Sequence, residues 1–110
     1  AGNHAQGAVF VDGFYPESQA PEVRTAVDAY HAAYQEDMDI LAAQAYDAAA
    51  MVLALLAEKK DTPAAVRDGL LATKDFPGIS GTTTFGGSGA AQKKLFLIKI
   101  EYSKFVLVPE

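Results

Sequence analysis

At 110 residues, half of them apolar and with a net charge of −5, the sequence is the size of one small domain, and its acidity argues against nucleic acid and anionic membranes as partners. It has no cysteine, which excludes disulfides and thiolate chemistry and leaves the compartment open. The opening residues AGNHAQ have neither the basic start nor the apolar run of a signal peptide, and no internal repeat or low-complexity tract follows.

Residues 7–11 (GAVFV) form a short apolar run, and their β-branched content predicts a strand buried on both faces, as in parallel sheets. A loop with Pro16 and Pro21 follows, and Pro21 with Glu22 suits the first turn of a helix over 21–35. Val23, Val27, Tyr30 and Tyr34 fall at spacings of four, three and four, which is one apolar stripe. The acidic link EDMD then offers Asp39 as an N-cap.

Residues 40–58 predict a second helix, and ILAAQAYDAAAMVLALLA is apolar nearly all round. A surface helix keeps a polar face, so this one needs cover on several sides. Alanine gains little from lipid and Asp47 sits at the centre, so a core helix of an α/β domain is favoured over a membrane span. Where the rest of its domain covers the helix, Leu41, Ala45, Ala48, Val52 and Leu56 are expected among the most buried residues. Thr62-Pro63 starts a third helix over 63–73, with Ala64, Val66, Leu70 and Leu71 inward. Phe76-Pro77-Gly78 reads as a turn and 82–85 as a short strand. GGSG (86–89) is flexible punctuation. Strands over 94–102 and 105–108, joined at Ser103-Lys104, close the chain as a hairpin whose Phe96, Ile98, Ile100 and Tyr102 share one face.

The order is therefore strand, three helices, strand, hairpin. The first strand has no evident parallel partner, and two amphipathic neighbours do not cover the central helix. Such a chain looks like part of something larger. The runs GAVFVDGFYPES, PEVRTAVDAYHAAY, AAQAYDAAAMVLALL and FPGISGTTTFGGSG, followed by a hairpin, resemble the C-terminal third of a type I periplasmic binding protein. More narrowly the chain is similar to the branched-chain amino acid (Leu/Ile/Val) and amide-binding receptors of ABC transporters. The resemblance spans essentially the whole sequence. Its most specific pieces are Ala45-Tyr46-Asp47-Ala48 and the glycine-spaced stretch from Phe76 through Gly78 and Gly81 to Phe85. One departure stands out: the family usually places acidic residues where this chain has Gly86 and Ala90, which touches local turn chemistry and not the fold.

The resemblance implies a two-lobe α/β receptor with ligand held in the cleft. Residues 1–13 would be a second-lobe strand and hinge crossing, 14–85 a first-lobe helical segment with its short strand, and 86–110 the recrossing and second-lobe hairpin. Earlier segments, outside this sequence, would supply most ligand contacts.

Candidate chemistry is sparse. His31 pairs naturally with Asp28 on a helix surface. Asp37 and Asp39 have no converging histidine that would suggest a metal or acid–base pair. GGSGAAQKK fails as a phosphate loop, since no Gly-Lys-Ser/Thr follows and a strand comes next. Neither a nucleophile elbow nor a metal cluster is present, so an enzyme is disfavoured and no cofactor is expected. Asp47 either satisfies donors within a buried region, as an unpaired buried carboxylate is costly, or lies with Tyr46 near the cleft. Phe14 and Tyr15 are the ligand-binding candidates: they follow the carboxyl end of a strand, where open α/β sheets bind ligands, with hinge packing as the alternative.

The resemblance thus implies an extracytoplasmic receptor, periplasmic or anchored at the cell surface. It would capture an amino acid, amide or related small carboxylate and pass it to an ABC permease. Its partners would be that ligand, the remainder of the receptor chain and the permease, with no nucleic acid. A ligand-sensing domain of the same fold in a signalling protein is the alternative; the chain's end at Pro109-Glu110, soon after the hairpin, favours transport.

Overall fold

The structure, a computed structural model, describes residues 2–109. In chain order it has a 3-10 turn (Gly2–Ala5), β1 (Val9–Asp12), α1 (Pro21–Tyr34), α2 (Ile40–Ala57), α3 (Pro63–Leu71), β2 (Phe76–Gly78), β3 (Gly81–Phe85), β4 (Ala91–Lys93), β5 (Phe96–Glu101) and β6 (Lys104–Leu107). The three expected helices are present because each starts or stops on a local signal. Pro21 opens α1 after an extended Ala20, and Gln35 ends it in the left-handed region at φ 56°, its N–H donating to His31 O. Thr62 caps α3 by accepting from the Ala65 N–H at 3.2 Å.

Contacts gather the elements into two compact units. One holds the residues up to Ile40 together with those from Leu95 on; the other is Leu41–Lys94. Helix α1 falls in the unit of β1, β5 and β6, where its Val23 and Ala26 are buried.

In the first unit β1, β5 and β6 form an antiparallel sheet in that order, with Phe10 opposite Ile98 and Ile100 opposite Phe105. β1 departs from the expectation of a strand buried on both faces. Val9 and Val11 are exposed while Phe10 and Asp12 are half-buried, the alternation of a strand packed on one side. The hairpin turn also sits one residue earlier than Ser103-Lys104. It is Tyr102-Ser103, at φ 50° and 62°, because the pairing of Glu101 with Lys104 closes a two-residue loop that needs positive φ at both positions. On α1 the expected stripe is partial: Val23 is buried, but Tyr34 is exposed and stacks at 4.8 Å on Tyr30. Asp28 pairs with Arg24 at 2.9 Å rather than with His31, whose Nδ1 lies 3.6 Å from Asp37.

The second unit packs α2 and α3 with a separate antiparallel sheet, β2-β3-β4. Phe76-Pro77-Gly78 is an edge strand, where proline costs no ladder bond, and the turn is the next pair, Ile79-Ser80. The glycine-rich stretch closes through Gly89 N–H to Gly86 O at 3.0 Å and leads into β4, which the sequence reading lacks. On α2 the buried residues are Ala43, Asp47, Met51 and Leu55, one stripe at spacing four. Of the residues expected inside once the rest of the lobe covers the helix, Val52 is half-buried here, while Leu41 is 71% exposed and Ala45, Ala48 and Leu56 are exposed within these residues alone. Within these residues only one face of α2 finds cover, and a carboxylate that must reach donors decides which. The helix is long and apolar enough to cross a membrane by length and composition, yet it carries that engaged carboxylate at its midpoint.

Candidate functional site

Polar and aromatic side chains converge in two places, one in each unit. In the second unit the Asp47 carboxylate, 2% exposed, grips the Ile79-Ser80 turn. The Ile79 N–H donates to Oδ1 at 2.7 Å and the Ser80 N–H to Oδ2 at 2.9 Å, while the Ser80 hydroxyl also donates to Oδ2. Lys93 Nζ donates to Ser80 Oγ at 2.6 Å and lies 3.8 Å from Asp47 Oδ2. A Cβ at Gly78 would fall inside contact distance of all three carboxylate atoms, so only glycine fits there. The two most specific sequence motifs therefore meet: the aspartate of one holds the turn between the glycines of the other. This is the donor-satisfying reading of Asp47. Tyr46, its neighbour, is 51% exposed and takes no part. Ser80 and Lys93 resemble an activated nucleophile pair, but Ser80 is completely buried, so its oxygen is closed to a substrate.

In the first unit an open groove of about 500 Å³ lies at the carboxyl end of β1. Its apolar lining comes from Phe10, Phe14, Val27, Met38, Ile98 and Phe105, with Phe10 and Phe105 edge to face at 5.7 Å. Four carboxylates, Asp12, Glu17, Asp37 and Asp39, line it with one guanidinium, Arg24. That guanidinium is engaged by Asp28 at 2.9 Å and Pro16 O at 3.1 Å, so the groove is negative on balance. Asp12 accepts the Phe14 N–H at 3.3 Å, bending the chain directly after the strand.

Of the two expected ligand-binding residues, Phe14 lines this groove but is only 2% exposed, so it shapes the wall from behind. Tyr15 does not line it. Its hydroxyl donates to Phe105 O at 3.3 Å and caps a carbonyl of β6, an edge strand of the sheet. Sequence reasoning missed Met38, Ile40 and Phe105 as lining residues. The signal for Met38 was present, an apolar residue amid the acids of EDMD, which were read as solvated. Among the described residues no group of three His, Asp or Glu side chains comes together to hold a metal.

The chain has clear relatives. A family described as periplasmic binding protein matches residues 1–104. A protein described as a branched-chain amino acid ABC transporter from Rhodospirillum rubrum is similar in structure, with a TM-score of 0.86 and 26% identity over 97% of this chain and 32% of that one. An ABC transporter substrate-binding protein from Desulfitobacterium hafniense, solved with Leu, gives a TM-score of 0.79 and 26% identity over 94% of this chain and 32% of its own. A solute-binding protein from R. palustris, solved with benzoate, gives 0.73 at 18% identity over 97% and 30%, a likeness that speaks for the fold alone. No curated protein matches the sequence. The chain thus has the α/β architecture of one portion of a type I periplasmic-binding fold and spans about a third of the proteins it matches.

Proposed function

The chain belongs to the periplasmic binding protein family, and from that premise we propose that it is the C-terminal portion of an ABC-transporter receptor for an amino acid. The observation that carries this reading is the groove beside the chain leaving β1, concave and mostly apolar with a few polar groups, as small-molecule sites are. Its apolar lining suits an aliphatic side chain. Its carboxylates suit the ammonium group of an amino acid, a group that benzoate lacks. Phe14 backs the apolar wall and Tyr15, outside the groove, holds the Phe105 carbonyl behind it; segments outside this sequence complete the site. The two lobes of the receptor follow the two compact units, so the chain passes between lobes near Ile40 and near Lys94.

In this reading the receptor works outside the cytoplasm, periplasmic or anchored at the cell surface, and hands its ligand unchanged to an ABC permease. It carries out no reaction. A ligand sensor of the same fold would share the groove. A chimera tests the proposal: these residues replace the matching third of the D. hafniense receptor, and leucine, isoleucine and benzoate are titrated by calorimetry. Binding of either amino acid and not of benzoate is expected. A folded chimera that binds none of them, or benzoate best, would overturn it.

A further inference from the structure

Lys93 ties the last strand of the second unit to its interior. β4 is three residues long and pairs only with β3, on one side. Ala91 and Gln92 are exposed, and the strand is entered from the exposed stretch of Gly87 to Ala90. Lys94 after it is exposed, and at Leu95 the chain passes to the other unit. Lys93 alone turns inward: its side chain is 16% exposed, with Nζ 2.6 Å from Ser80 Oγ and 3.8 Å from Asp47 Oδ2.

The division of labour in this cluster is uneven. Asp47 already has two backbone N–H donors and the Ser80 hydroxyl, so its carboxylate and the Ile79-Ser80 turn stay satisfied without the lysine. The lysine depends on them more than they depend on it. An ammonium taken out of water keeps its place only where an anion or strong acceptor answers it. We propose that Lys93 is a tether: through Ser80 and Asp47 it anchors the exit strand and sets how far the order of the second unit extends toward the passage at residues 94–95. On the function proposed above, that passage joins the two lobes of a receptor, and the tether there sets the stiffness of one crossing and so the ease of closure.

Hydrogen exchange tests the tether without any ligand, so its outcome is separate from that of the chimera. In Lys93→Met, which keeps the apolar stem and removes the charge, amides of 91–95 should exchange at least about tenfold faster, on the scale of one lost charged hydrogen bond. Amides of 43–55 in α2 and of the Ile79-Ser80 turn should hold their rates. In Asp47→Asn all of these segments should accelerate together. Unchanged exchange at 91–95 in Lys93→Met would overturn the proposal. So would acceleration spread evenly over 41–94, or loss of fold, since either would make Lys93 a general support and not a local tether.

Discussion

One unit of this chain closes around apolar side chains alone, and the other adds a buried carboxylate to an apolar core of Ala43, Met51, Leu55 and Ile79. In the first, Phe14, Val23, Ala26 and Ile98 are buried beside an antiparallel sheet, and the polar groups stay at the groove's edge or on the surface. In the second, the side chains with the least exposure include Asp47, Ser80 and Thr83, and a helix, a hairpin turn and an edge strand converge on one anion. An apolar contact is non-directional and tolerates small shifts, so the first unit leaves an open groove without penalty. A buried carboxylate tolerates less, because losing the backbone amides and hydroxyl that answer it leaves it unsatisfied. The second unit is the specified one, and even there Thr83 Oγ1 is buried with no hydrogen-bond partner among the described residues.

That contrast can be broken most directly at Asp47. Asp47→Ala should cost about 3–5 kcal/mol, the range for removing one partner of a buried charged network, and urea unfolding followed by exchange within 41–94 would measure it. A loss below about 1 kcal/mol would mean the turn holds itself. Phe14→Ala should cost about 3 kcal/mol, the low end for a buried phenylalanine, because the adjoining groove is already open. Should it prove costlier than Asp47→Ala in the same titration, the ranking of the two units is reversed.

The smaller effects sharpen the comparison on the surface of each unit. In the first, the Tyr102-Ser103 turn holds two ordinary side chains at positive φ, with Tyr102 87% exposed. Tyr102→Asn combined with Ser103→Gly should stabilise by about 1–2 kcal/mol, read as a rise in the unfolding midpoint; no rise would show that the strain is absorbed elsewhere. In the second, Ala48→Leu should change stability by no more than about 0.5 kcal/mol in this chain, since Ala48 is exposed. In a complete receptor, where the rest of the lobe is expected to cover that face, the same change should cost about 1–3 kcal/mol through overpacking. Equal values in the two settings would show that nothing covers it.

Local chemistry alone determined a good deal. Pro21, Thr62-Pro63 and the apolar period placed the helices, since capping and fixed φ act within a turn of chain. The alternation of residues 96–101 marked the hairpin, and the residues around Asp47 and the spaced glycines carried the family. Tertiary structure alone decided the rest. An apolar helix such as α2 has no polar face to announce its orientation, so the side that packs is chosen by where Asp47 finds the amides of Ile79 and Ser80, more than thirty residues away. A groove is likewise not a property of any one segment. Phe10, Val27, Met38 and Phe105 come from four separate stretches, and no period or motif links residues that meet only because β1 pairs with β5 and β5 with β6.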